Sequence, residues 1–499
     1  MQITDQVPEI RRRALNDKSI DSDGEFVLYW MIAFRRPTYN FSLQRARNLA
    51  VELDRPLVIL EALRHGYPWA CDRFHAFVLQ GMADNKRAFE DLPVTYYPFV
   101  ETPEHPGSGL LEALAERACA VVTDDFPAFF LPRMLEAAAP RLEVMLEVVD
   151  SNGVRPMRDT DRLYTRAYDF RRYLHDRILE DARGEPLEWP EESPITASAK
   201  KLADPVELPE EIQNSWPRAD SQWLAADRER LATLPIDHEI RPNPEFPGGW
   251  EAAQSRMEDF LETNLDEYQD RRNKPSEAAE SHLSPYLHFG HISAHRIFDA
   301  IRGREDWDSS QVDEEFRAKR EGFWGMSPGP EAFVDQLLTW REIGFNRCAL
   351  DPEGYDDFET LPDWAKKTLS EHEDDPRPQL YSLQEFEAAD THDELWNAAQ
   401  MQLVTTGVLH NYMRMLWGKK ILHWSKSPRE ALEIMVELNN KYAIDGRDPN
   451  SYSGIFWVLG RFDRAWGPER EIFGKIRYMT SKSTRRKFKV DPYIERYGG

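Results

Sequence analysis

The chain has 499 residues, enough for two or three domains, and with 41% hydrophobic and 12% aromatic residues it has a globular composition that excludes disorder over most of its length. Against 88 Asp and Glu it sets only 63 Lys and Arg, a formal net charge of −25, so non-specific coating of DNA is excluded and any nucleic-acid contact needs a local basic patch. Three widely spaced cysteines, Cys71, Cys119 and Cys348, offer neither a disulfide framework nor a CxxC site. The N-terminal run carries no apolar leader core, and no stretch approaches the roughly 20 apolar residues of a membrane span. A cytoplasmic protein that avoids membranes is the expectation.

The first 150 residues alternate short β-branched or aromatic runs with amphipathic stretches, which predicts βαβ units and a doubly wound parallel sheet. Strands are predicted at Phe26–Ala33, Pro56–Leu60, Val94–Tyr97, Cys119–Thr123 and Val144–Val149. The intervening helices are predicted at Phe41–Leu53, Asp72–Phe89, Leu110–Ala118 and Pro132–Ala138. No GxGxxG follows the first strand, which argues against a nicotinamide dehydrogenase. Six prolines between Pro186 and Pro217 mark a linker. Beyond about Gly248 the pattern becomes helical, with helices predicted at Trp250–Asp270, Glu331–Phe345, Asp393–Leu416, Lys419–Ser425 and Pro428–Tyr442. The expected organisation is an α/β domain over 20–180, a linker over 181–248 and an all-α domain over 249–499.

Several patterns carry chemistry. Leu283–Gly290 (LSPYLHFG) puts Ser284 at a helix N-cap and Pro285 at the first helical position, a start that leaves backbone N–H groups for an anion. His288, His291 and His295 have the spacing of one helical face, but Gly290 is a candidate helix break and no carboxylate or Cys completes a metal site, so none is expected. Trp417 and Trp424 are seven residues apart on one predicted helix, with Trp396 on or just before the preceding one. On the residues alone a hydrophobic helix face accounts for them better than an electron path does. Arg414 and Asp445 are candidates for a buried ion pair, and Asp445–Asn450 reads as a turn. From Lys475 to Lys489 the chain holds seven basic residues and no acid, which is either a solvated tail or a phosphate-binding surface.

Leu283–Gly290, Leu395–Gly407, Met413–Trp424, Leu438–Asn450 and Arg470–Met479, in that order, together resemble the class II cyclobutane pyrimidine dimer photolyases of the photolyase/cryptochrome family. Val27–Met31 and Thr160–Arg172 extend the resemblance more weakly into the N-terminal half. It implies a helical domain that holds FAD in a bent conformation and a monomer that uses light to repair UV-damaged DNA. It also implies an antenna chromophore, deazaflavin or folate, whose residues the sheet does not reveal. Tyr268, Ser281, Leu283, Ser284 and Pro285 would hold the phosphates, Asn439 would lie beside flavin N5, and Arg414 and Asp445 would pair over the isoalloxazine. The photoreduction tryptophans fall on Trp417, Trp396 and Trp424. Asn273, Trp340, Met415 and Trp457 match positions that line the dimer pocket, and Lys475, Arg477, Lys482, Arg485, Arg486 and Lys487 would grip DNA phosphates.

Two positions depart from the family pattern. Its pocket glutamate is Gln336 here, which keeps an N–H donor but loses the exchangeable proton, and weakened repair is expected. Glu342, six residues on, faces elsewhere on a regular helix and does not substitute. Phe462 stands where a histidine is expected, before Asp463–Trp466. Repair by a carbon–carbon lyase is the leading reading; a cryptochrome-type photoreceptor that keeps the flavin and tryptophans is the alternative.

Overall fold

Near-continuous runs of Val, Ile, Leu and aromatic residues suit strands covered on both faces, and most of the sheet is built from them. In the computed structural model, which describes residues 2–184, 187–277 and 279–498, six strands pair into one sheet. They are β1 Arg12–Ala14, β2 Phe26–Met31, β3 Leu57–Leu63, β4 Thr95–Val100, β5 Ala118–Asp124 and β6 Met145–Val149. Their order is β1-β6-β5-β2-β3-β4; β1 is an antiparallel edge and all other pairs are parallel. The edge strand has no apolar pattern, so periodicity misses it.

The returns are α1 Phe41–Leu53, α2 Asp72–Phe89, α3 Leu110–Ala115 and α4 Leu131–Ala138. Asn40 fixes the start of α1 because its side chain accepts from the N–H groups of Ser42 and Leu43. Helix α3 ends earlier than its sequence suggests because β5 already begins at Ala118. The strand order reverses between β2 and β5, where α/β sheets usually open for a ligand. Here the buried Asp124 carboxylate fills that point. It accepts from the N–H groups of Ile32, Ala33 and Phe34 at 2.9, 2.7 and 2.9 Å and from the Tyr29 hydroxyl at 2.8 Å.

Contacts divide the chain into two units, one of residues 1–160, 183–257 and 283–304 around the sheet, the other of residues 161–182, 258–282 and 305–499. The proline-rich stretch groups with the first unit and holds short helices at Pro194–Ser198 and Glu210–Ser215; Pro186 lies outside the described residues.

The second unit is helical: α5 Ala167–Ala182, α6 Arg341–Leu350, α7 Glu394–Thr406, α8 Asn411–Trp424, α9 Pro428–Tyr442 and α10 Pro449–Val458 position its side chains. Helix α8 packs on α7, α9 and α10, and α10 packs on α6. The helix predicted over Asp393–Leu416 is two helices, because Gly407, at φ 76°, ends α7 in a left-handed turn that glycine adopts without strain. Helix α8 then absorbs the separately predicted Lys419–Ser425. The helix predicted over Glu331–Phe345 is interrupted as well: Pro328–Val334 leads into a π turn, Asp335–Trp340, before α6. The predicted Trp250–Asp270 helix stops at Thr263 and is followed by a single turn, Tyr268–Arg271. Among the described residues no helix is long and apolar enough to cross a membrane.

Candidate functional site

Trp417 and Trp424 lie about two turns apart on α8, and Trp396 reaches them from α7. All three are buried. Trp417 Nε1 donates to Gln400 Oε1 at 2.8 Å, and Trp396 Nε1 donates to the backbone carbonyl of Trp417 at 3.0 Å. The rings of Trp396 and Trp424 meet edge to face with centroids 6.0 Å apart. Beyond Trp424 lie Tyr381, His392 and the Lys420 ammonium, the last 4.8 Å from the indole centroid. Burial first, and Lys420 second, hold the nearby His423 down to about 4, so it stays neutral against Trp424. Gln400 escapes sequence reasoning, although its place one turn after Trp396 is the pattern that could have found it.

On α9, Asn439 is only 3% exposed, and its amino group donates to Ser451 Oγ at 2.8 Å and to Asn440 Oδ1 at 3.3 Å. Its own Oδ1 receives no donor among the described residues. That oxygen is free to accept from a ligand N–H, and a flavin ring edge supplies such a donor. Arg414, one turn before Trp417, donates through Nη2 to both Asp445 oxygens at 3.1 and 3.2 Å. The donor and acceptor set on α8 and α9 therefore fits an isoalloxazine. Tyr268 and Ser281 belong to the second unit; Leu283, Ser284 and Pro285 belong to the first.

A second group of indoles is half-exposed. Trp340 and Trp457 stack on each other with centroids 4.7 Å apart and planes 15° from parallel, and Met415 and Asn273 are also partly accessible. The two indoles thus share one stacked surface. Trp340 Nε1 donates to Asp335 Oδ2 at 3.1 Å, and Asp335 takes a two-pronged pair from Arg171 at 2.7 and 2.9 Å. The guanidinium carbons of Arg171 and Arg320 each lie 5.8 Å from the Trp340 ring centroid. Burial, and the like charges of Arg171, Arg272 and Arg477, push the Arg320 guanidinium below its ordinary value. In a chain of net charge −25, this is a crowded cationic corner around a flat aromatic surface. Sequence reasoning missed Arg171, Arg272, Arg320 and Asp335, whose convergence is purely tertiary.

No family model matches the chain. It is 33% identical to the deoxyribodipyrimidine photo-lyase of Methanothermobacter thermautotrophicus, over 98% of each protein. It is 32% identical to the Arabidopsis thaliana protein of the same name, over 94% of this chain and 88% of that one. The chain belongs to the photolyase/cryptochrome family. Its fold is similar to that of a class III photolyase from Agrobacterium tumefaciens, with a TM-score of 0.62 at 16% identity, covering 96% of this chain and 87% of that one. It is likewise similar to a Synechocystis cryptochrome, with a TM-score of 0.63 at 14% identity, over 95% and 88%. The family is one of FAD-binding flavoproteins.

Three details of this photolyase-family chain bear on the sequence expectations. The Ser284–His288 helix has Leu283 at its N-cap with no side-chain cap bond, so Ser284 and Pro285 are its first two helical residues. His288, His291 and His295 do not share a helical face, because Gly290 takes a left-handed turn at φ 73° between that helix and the next, Ala294–Arg304. His291 Nδ1 accepts from the Gly249 N–H at 2.9 Å, a structural role, and no metal-binding cluster occurs among the described residues. The basic run is partly neutralised by acids outside it: Lys475 pairs with Glu469, and Arg485 with Asp491 and the sequence-remote Glu394. Lys482, Arg486 and Lys487 form no ion pair among the described residues. Phe462 is buried, at φ 64°.

Proposed function

We propose that the protein is a light-driven deoxyribodipyrimidine photolyase of the class II type, splitting cyclobutane pyrimidine dimers in UV-damaged DNA with reduced FAD. When bound, FAD supplies light absorption and the single electron that opens the cyclobutane ring and is afterwards recovered. Asn439 would hold the ring edge through Oδ1, an amide that accepts a hydrogen bond and surrenders no proton. Arg414 and Asp445 would flank the ring, and Tyr268 and Ser281 would bind the phosphates. Trp424, Trp396 and Trp417 would carry charge inward: the N–H groups of Trp396 and Trp417 are tied to a carbonyl and an amide, so these two indoles have no ready base when charged. Trp340, Trp457, Met415 and Asn273 would receive the extruded pyrimidine pair. Arg477, Lys482, Arg486 and Lys487, with Lys475 and Arg485, would bind the backbone phosphates. A deazaflavin or folate antenna belongs to the same reading.

The observation that carries it is the accessible indole stack ringed by Arg171, Arg272 and Arg320, since a flipped base pair brings both π faces and phosphates. The photoreceptor reading draws on Gln336 and Phe462, which replace two polar groups of the family pattern. To test repair, the protein is purified in darkness, reduced, mixed with an oligonucleotide bearing a thymine dimer and illuminated with blue light. Recovery of thymine absorbance is expected; photoreduction without recovery assigns the chain to the receptors.

A further inference from the structure

Trp424 has a cation against its ring: the Lys420 ammonium lies 4.8 Å from the centroid, and the lysine is only 8% exposed. A cation favours the neutral indole, but an indole that has lost an electron is itself positive and is repelled from the same place. Asp393 answers that charge. Its Oδ2 is 3.2 Å from Lys420 Nζ and accepts from Ser481 Oγ at 2.5 Å, while its Oδ1 accepts from the Trp396 N–H at 3.2 Å as the N-cap of α7. Burial alone would raise this carboxyl, yet Ser481, Lys420 and the Trp396 N–H together hold it below its ordinary value, so it is ionised. We infer that Asp393 is the positioning residue of the outer electron step: its negative charge holds and offsets Lys420, so that a hole can rest on Trp424. This rests on the reading of the three tryptophans as a path for charge.

In that step one electron passes from Trp424 to the oxidised Trp396; no bond forms or breaks, no proton moves, and an external thiol later refills Trp424. The indole thus gains a unit of positive charge beside a lysine, and the field of the Lys420–Asp393 pair bears directly on it. The other groups around Trp424 do not offset the ammonium. His423 is neutral, held down to about 4 by burial and then by Lys420. His392 meets the ring edge to face, with its Nδ1 2.6 Å from the Tyr381 hydroxyl. Arg377, which donates to the carbonyl of Leu422 at 3.0 Å, is a further cation and acts on His423 in the same sense as Lys420. Glu394 pairs with Arg485. Ser481 opens the basic helix Ser481–Lys487, so the Asp393 carboxylate is held from three directions: that helix, α7 and Lys420 on α8.

The test follows light-driven flavin reduction in full-length, FAD-loaded protein under blue light with a thiol present. Asp393→Asn keeps an oxygen for the Trp396 N–H but loses the charge. It should slow reduction about tenfold, a small part of the Coulomb energy of unit charges this close at an effective dielectric constant of about 20. Lys420→Met removes the cation and should quicken reduction about threefold. Asp393→Asn combined with Lys420→Met should recover at least the wild-type rate, because a lost cap or packing contact is not repaired by a second loss. A readout in the dark comes from the indole N–H resonances in nuclear magnetic resonance, with Trp424 assigned by Trp424→Phe. Lys420→Met should move the Trp424 resonance and leave that of Trp417 in place, which also reports a folded protein. The inference is overturned if Asp393→Asn reduces as fast as the wild type, if the combined variant stays slow, or if Lys420→Met is no faster or leaves the Trp424 resonance unmoved. Those outcomes leave the path reading standing, whereas undiminished reduction in Trp424→Phe removes the path and the inference together.

Discussion

The second unit uses tryptophan in two contrasting ways. Trp396, Trp417 and Trp424 are buried, held between α7 and α8, and two of their N–H groups end on groups that take up no proton. Trp340 and Trp457 are half-exposed and stacked, and a carboxylate, an amide and three guanidiniums surround them. The first arrangement suits movement of charge, because nothing nearby has to reorganise. The second suits recognition, because a flat apolar face is bordered by groups that read polarity and charge. The same side chain thus takes its role from burial and from the partner of its N–H.

The largest expected effect breaks the dry set. Trp417→Phe keeps an aromatic of similar shape but removes the indole, so light-driven reduction of protein reconstituted with FAD should fall to background, while dark affinity for a dimer-bearing duplex stays unchanged. Loss of both would mean the two indole groups are one structural unit. A smaller effect falls on the wet set. Asp335→Ala leaves the buried Arg171 without its partner and should cost about 3–5 kcal/mol in urea unfolding, because an uncompensated buried charge is costlier than a missing pair. Replacing both residues with apolar side chains of similar volume should recover most of that loss.

This contrast also separates what was legible in the sequence from what was not. The sheet was legible because strands buried on both faces read as unbroken apolar runs, and α1, α2 and α9 begin and end where apolar periodicity places them. The seven-residue interval of Trp417 and Trp424 survives because α8 is regular. The corner around Trp340 is different. A π turn bonds each N–H one residue further back, as from Arg341 to the Gln336 carbonyl, and so shifts Asp335, Gln336 and Trp340 off the 3.6-residue register. That irregularity puts the Trp340 N–H on Asp335, five residues earlier, a contact no amphipathic pattern encodes. Ion pairs such as Arg485 with Glu394 are likewise invisible, since they join segments 91 residues apart.

The smallest expected effect concerns Lys419, which ties the two regions together. It lies between Trp417 and Trp424 on α8, and its buried ammonium donates to the carbonyl of Val458, the residue after Trp457 on α10, at 2.5 Å. Burial dominates and lowers it from 10.5 to about 7, opposed by Asp463 and assisted by Arg477. Between those values the unfolded chain holds a proton that the folded chain has shed, so this group makes stability rise with pH; below about 7 both forms are charged and the full penalty applies. Lys419→Met should therefore stabilise the protein by roughly 2 kcal/mol in urea unfolding at about pH 6, after allowing for the lost hydrogen bond. The gain should shrink steadily toward about pH 10, where only the missing bond to Val458 remains. An equal gain at both ends would show that the amine is solvated in the folded protein, and that the dry and wet regions are not joined through a buried charge.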